Sequence, residues 1–172
     1  GSNNEQGGYL AGKHLIERGR DSIAFLGTVS GDAPEFVERW TGYNRALSEA
    51  GLSQDDSLVV DAAPSEEAGR SAALKLLEQG KPFDGIFATS DLVAIGAMRA
   101  LHEAGKRVPE DVSIVGFDDL AAARMAEPGI TTVAQDTRLA GETLVETLIA
   151  NIEERVSESV LLPVKLVVRA SS

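Results

Sequence analysis

A chain of 172 residues is about one domain long. Its 16 Lys and Arg against 27 Asp and Glu leave a formal net charge of −11, which argues against a stand-alone nucleic-acid binder, because that affinity comes largely from cationic side chains displacing condensed counterions. The hydrophobic share of 43% suits a packed core, and the absence of cysteine removes disulfides, thiol nucleophiles and cysteine-ligated zinc.

In chain order, helical and strand patterns alternate. Glu5 to Arg18 predicts a helix whose stripe is Gly8, Ala11, Gly12, Leu15 and Ile16, stopped by Gly19. Ile23 to Leu26 is a short apolar run ending at Gly27, as in a buried strand. Pro34 suits a first helical turn, and Phe36, Val37, Trp40, Tyr43, Asn44 and Leu47 keep one face up to Gly51. Leu58 to Val60 is the next strand. Ser65 then caps a helix carrying Gly69, Ala72, Ala73, Leu76 and Leu77, which Gly80 ends. Ile86 to Ala88 is a third strand, Asp91 to Ala104 a helix apolar on most sides, and Val112 to Val115 a fourth strand. Thr131 to Ala134 makes a fifth. Leu139, Leu144, Val145, Leu148, Ile149 and Ile152 stripe a last helix, and Leu166 to Val168 reads as a closing strand.

This alternation, with short glycine-terminated links, predicts an α/β fold: an open parallel sheet with helices on both faces. The stretch from Ala121 to Ile130, with Pro128 and Gly129, is the best place for the chain to cross between structural units. No apolar run reaches the ~20 residues of a bilayer span. No basic segment followed by an apolar one is visible at the start. A reducing, cytoplasmic setting fits the cysteine-free composition.

Several chemistries are missing from the sequence. There is no G-x-x-x-x-G-K-[ST] and no G-x-G-x-x-G. Gly27-Thr28-Val29-Ser30-Gly31 reads as a glycine-rich strand-to-helix loop, since its spacing is not that of a nucleophile elbow. His14 and His102 read as surface helix residues without metal-ligand neighbours. No enzyme, metal or cofactor is expected.

The candidate site lies where strands end, because open α/β sheets bind ligands outside the carboxyl ends of their strands. Ser90 and Asp91 follow one strand, Asp118 and Asp119 another, and Arg39 sits in a helix close to the same edge. Two acceptors and a planar guanidinium suit adjacent hydroxyls, as in a polyol or sugar. Each residue has a plainer role open to it. Ser90 or Asp91 caps a helix, Asp118 accepts in a turn, and Arg39 pairs on the surface with Glu35, the reading its spacing alone favours.

Over nearly its whole length the chain resembles the effector-binding core of the LacI/GalR family of bacterial transcription repressors. The resemblance rests on residues 4–11, 23–27, 39–43 and 89–97. It is strongest in Val108-Pro109-Glu110-Asp111-Val112-Ser113-Ile114-Val115-Gly116-Phe117-Asp118-Asp119, and continues in residues 131–135, 161–163 and 167–169. The resemblance implies a fragment of a longer protein. Residues 1–126 would be the C-terminal lobe of a periplasmic-binding-protein-like effector domain. Residues 127–158 would cross over and supply a helix to an N-terminal lobe, residues 159–172 would return, and the DNA-binding headpiece would lie outside this chain. It further implies effector contacts at Arg39, Ser90, Asp91 and Asp118, with Pro64 and Gln135 as further effector-facing positions. Many members carry a stacking aromatic where Pro64 stands, so ring stacking is not expected here. A sugar is the first expectation for the effector, bound between lobes of a homodimer that touches operator DNA only through the headpiece. The rival is a solute-binding protein of a sugar uptake system, which shares the fold. Residues 108–112 favour the regulator. The fragment alone is expected to bind effector weakly, and the stripe on the helix from Asp136 to Glu153 is expected to drive self-association.

Overall fold

The structure is a computed structural model that describes residues 1–29, 33–136 and 161–172, with residues 138, 139, 141, 142, 145, 147 and 149. Helix α1 (Asn4–Glu17) begins where the Asn3 side chain accepts a hydrogen bond from the Gln6 amide, satisfying one of the donors that a helix start leaves unpaired. Strand β1 (Ile23–Leu26) is buried throughout. Helix α2 (Pro34–Glu49) starts on its proline, as expected. Strand β2 is only Val59–Val60, because Leu58 is drawn into a 3-10 turn (Asp56–Leu58) whose Ser57 amide is held by the Asp55 side chain. Helix α3 (Glu66–Gln79) has the Ser65 cap and ends at Gly80, whose φ of 67° suits a residue without Cβ. Then come β3 (Gly85–Ala88), α4 (Asp91–Glu103), β4 (Ser113–Asp118), α5 (Ala121–Met125), β5 (Thr131–Gln135) and β6 (Val164–Val167).

The strands form one sheet in the order β2-β1-β3-β4-β5-β6. The first five run parallel, in a register that sets Phe25 beside Phe87 and Phe87 beside Val115. The sheet is therefore α/β as expected, with one departure from an all-parallel arrangement: β6 pairs antiparallel with β5, Val167 facing Thr132 and Val164 facing Gln135.

Two other expectations are corrected. Residues 121–130 do not carry the chain out of this unit. They form α5 and a short loop, with Ala123 and Ile130 fully buried in the core, and β5 then pairs parallel with β4. His14 is not a surface residue. It is 8% exposed and its Nε2 lies 2.9 Å from Ser172 Oγ, which in turn donates to Thr131. The helix expected from Asp136 to Glu153 falls largely outside the described residues. Val145 and Ile149 within it are described and exposed.

Helices α1 and α2 cover one face of the sheet, and α3 and α4 the other. Both pairs cross closely. A Cβ on Gly42 would lie 1.8 Å from the Glu5 carbonyl oxygen, and one on Gly96 would lie 2.0 Å from that of Glu66. The sequence thus sets the helix spacing on both faces with residues lacking a side chain.

Candidate functional site

The parallel strands release their carboxyl ends along one edge, and the loops there gather most of the candidate residues. Arg39, on α2, is only 5% exposed. Its Nε donates to Asn4 Oδ1 at 3.0 Å and its Nη1 to the Thr89 carbonyl at 2.6 Å. The guanidinium lies 3.7 Å from the centre of the Phe117 ring and 5.1 Å from that of Phe36, a placement in which the ring quadrupole attracts the cation. Nη2 stands 3.8 Å from Asp118 Oδ1. The surface pair with Glu35 is not what Arg39 makes, because the side chain turns inward to the strand ends. Burial pulls its pKa down, and Asp118 is the chief charge opposing that shift.

Asp118 ends β4 and Asp119 follows it. Both have positive φ, 108° and 60°, although neither is glycine, a costly conformation that persists where surrounding contacts hold it. Asp118 Oδ1 accepts from Gln135 Nε2 at 2.6 Å. Burial raises the Asp118 pKa, against the pull of Arg39 and the Gln135 hydrogen bond. Asp119 does not face Arg39. It pairs with Arg169 and, at 3.8 Å, with Arg124.

Ser90 has the plainer role that the sequence left open. Its hydroxyl accepts from the Val93 amide and caps α4. Asp91 lies beneath the edge, with 0% exposure. Oδ1 accepts from Thr132 Oγ1 at 2.6 Å and Oδ2 from the Leu120 amide at 2.7 Å. Burial pushes its pKa up to about 6, opposed by those two hydrogen bonds. Pro64 is exposed on the loop between β2 and α3. Gln135 is half-buried beside Asp118. A cavity of about 350 Å³ flanks the same edge, lined in part by Asp119, Gln135, Asp136, Arg138 and Lys165.

Four participants were not singled out from sequence: Asn4, the Thr89 carbonyl, Phe117 and Thr132. Phe117 had a usable signal, since period-2 alternation in β4 puts it on the face opposite Gly116. The other three had none, because their partners come from distant segments. Chemically, the arrangement offers a fixed cationic donor, a carboxylate acceptor and an amide within a few ångströms, the groups that grip hydroxyls. Among the described residues no cluster of His, Asp or Glu is placed to hold a metal ion. None of the helices described there is long and apolar enough to cross a membrane.

Comparison with known proteins agrees with this fold. The chain is 38% identical over 155 residues to the HTH-type transcriptional repressor PurR of Vibrio atlanticus, covering 89% of this chain and 46% of PurR. It is 40% identical over 169 residues to the HTH-type transcriptional regulator CelR of Thermobifida fusca, covering 96% of this chain and 49% of CelR. A solved transcriptional regulator CelR–cellobiose complex matches with a TM-score of 0.94 at 38% identity, over 99% of this chain and 53% of that one. The periplasmic binding protein-like domain family matches residues 13–172. The chain belongs to that family, in the branch formed by the effector-binding domains of LacI/GalR transcriptional regulators. It spans about half the length of the curated relatives it matches.

Proposed function

We propose that this chain is one lobe of the effector-sensing domain of a LacI-type regulator, and that the intact protein closes two lobes on a neutral, hydroxyl-rich molecule, a sugar first of all. The observation that carries this reading is the 3.8 Å gap between Arg39 Nη2 and Asp118 Oδ1. It is too long for a strong direct hydrogen bond, and the donor is held in place from behind by Asn4, Thr89 and Phe117. A ligand hydroxyl placed there accepts from Arg39 and donates to Asp118, with Gln135 alongside. Asp91 and Ser90 support this edge from below, and Pro64 borders it without a stacking ring. A relative solved with cellobiose supports the sugar class.

On this reading residues 1–126 and 159–172 form the C-terminal lobe, β5 stays with it, and the helix after Asp136 belongs with an N-terminal lobe. The protein works in the cytoplasm as a homodimer, reaches operator DNA through a headpiece outside this chain, and catalyses no reaction. Effector binding changes operator affinity only by the difference in its affinity for the open and closed states. Met125, 84% exposed, stands in a groove with Ile95, Met98 and Ala122, rimmed by Glu66, Arg99, His102 and Glu127, and this is one surface we propose for a second copy. Val145 and Ile149 add a second such stripe. Sedimentation of Met125→Glu and Ile149→Glu variants separates the two, and a full-strength dimer in both removes this part of the proposal.

The test of the site is a thermal-shift and calorimetric screen of the full-length regulator against cellobiose, ribose, other sugars and nucleobases. We expect one sugar to bind, and the binding to be lost in Arg39→Met and Asp118→Asn. A ligand held equally well by both variants overturns the reading. So does micromolar sugar binding by the 172-residue chain alone, since half the grip would then suffice.

A further inference from the structure

We infer that Asp91 is a positioning residue of this site: from beneath the sheet edge it holds the Asp118–Asp119 turn in the conformation that turns the Asp118 carboxylate toward Arg39. The inference rests on the reading of Arg39 and Asp118 as the effector grip, and it goes beyond that reading by assigning the control of their geometry.

Asp91 touches none of the exposed surface, so it meets no ligand itself. Its two oxygens join two separate elements. Oδ2 accepts from the amide of Leu120, the residue directly after the two positive-φ aspartates. Oδ1 accepts from Thr132 on β5, the strand that ends at Gln135. One carboxylate therefore ties the turn that carries Asp118 to the strand that carries Gln135, the residue that donates to Asp118. Two consecutive non-glycine residues at positive φ relax toward extended backbone unless contacts oppose it. Asp119 is held through Arg169 and Arg124, and the backbone of the next residue is held by Asp91. The sheet makes room for this carboxylate. A Cβ on Gly116 would lie 2.4 Å from Asp91 Oδ1, so β4 carries glycine where the acid passes beneath it. Without the acceptor at Leu120 the turn is free to relax, and Asp118 swings off its line to Arg39.

The experiment reads the Arg39–Asp118 coupling directly, without any effector. In the isotope-labelled 172-residue chain, the carboxyl resonance of Asp118 is titrated in the presence and absence of Arg39→Met. In the wild-type background the loss of the guanidinium moves the Asp118 titration upward, since Arg39 stabilises the charged form. That shift is expected to vanish in Asp91→Ala and in Asp91→Leu. Leucine keeps the branched skeleton of aspartate without an acceptor and leaves less of a void than alanine, so it supplies the reading if the alanine variant fails to fold. Asp91→Asn is expected to restore the shift, because its amide oxygen still accepts from Leu120 and its NH2 donates to the Thr132 hydroxyl. A purely structural Asp91 would lower stability and leave the coupling intact. A folded Asp91→Leu or Asp91→Ala chain with the wild-type shift therefore overturns the inference, as does an Asn variant that loses it. Failure of the effector reading shows elsewhere, as an absence of sugar binding by the full-length protein.

Discussion

The two faces of the sheet are built from different materials. The face under α1 and α2 packs Phe25, Tyr43, Phe87 and Phe117 into one core, with Trp40 against it. Ring centres there lie 4.7–5.8 Å apart. The face under α3 and α4 is fully aliphatic in its buried residues, from Ala24 and Leu26 to Leu101 and Ile114. Each face lodges one buried charge near the strand ends, and the material decides how. The aromatic face holds a cation, Arg39, against the Phe117 ring. The aliphatic face has no such surface, and its buried acid, Asp91, is held by a hydroxyl and a backbone amide. Burial of a charge is costly unless hydrogen bonds or rings replace water, and the two faces supply the replacement in two ways.

The contrast can be broken first at adjacent residues of β3 that face opposite layers. Phe87→Ala should cost about 4 kcal/mol and Ile86→Ala about 3 kcal/mol in urea unfolding, the ring losing its aromatic neighbours as well as its volume. Losses ranked the other way would mean that the aromatic contacts add nothing to stability. Next, the layers should be alike at their helix crossings. Gly42→Ala and Gly96→Ala each drive a Cβ into a backbone carbonyl, and each should cost about 3 kcal/mol. A tolerated substitution at one of them would show that its helix pair is free to open.

Asp91 separates the faces by pH. Its pKa in the folded protein, about 6, lies above that of an unfolded aspartate. The stabilisation that comes with its protonated form is thus fully present below about pH 4, the unfolded value, and is lost as pH rises through about 6. Asparagine carries no such titration. Relative to wild type, Asp91→Asn should therefore gain about 2 kcal/mol between roughly pH 4 and 7. A difference that stays flat in paired denaturation curves over that range would mean that Asp91 is solvated after all. The smallest effects should come from exposed ion pairs, one on each face. Arg70→Ala removes a pair with Glu103 and should leave the midpoint of thermal unfolding unchanged. Arg45→Ala should cost slightly more, because Arg45 also lies over the Tyr9 ring at 4.4 Å.

The fold was readable in the sequence wherever local pattern decided it. β1 and the starts of α2 and α3 fall where apolar runs, Pro34 and Ser65 placed them. The antiparallel edge was not readable, since Val164–Val167 looks the same in either orientation and only the path of the chain fixes its direction. For the site, the strand-end rule brought Arg39 and Asp118 to one edge, while Gln135 came only from the family resemblance. The rule did not separate a residue on the edge from one beneath it. Asp91 and Ser90 are neighbours that both offer a side-chain oxygen as an acceptor, yet Asp91 reaches Leu120 and Thr132 while Ser90 caps its helix. Arg39 misled for a related reason. Glu35 is a near neighbour in sequence, but the pull came from Asn4, Thr89 and Phe117, partners that spacing along one helix does not reveal.

The antiparallel edge has a consequence for how the chain is made. The Asn3 amide donates to the Leu162 carbonyl, the Ser171 hydroxyl donates to Ile114, and the Thr131 amide donates to that same hydroxyl. The cap of α1 and residues of β4 and β5 thus wait for a segment synthesised long after them. During translation β5 stands as an open edge with unpaired amides until β6 leaves the ribosome, the kind of template on which other chains pair. Closing so long a loop is also slow. Rapid folding of the first five strands would therefore leave a short-lived, sticky edge on β5 for as long as the chain between residues 135 and 164 is being made.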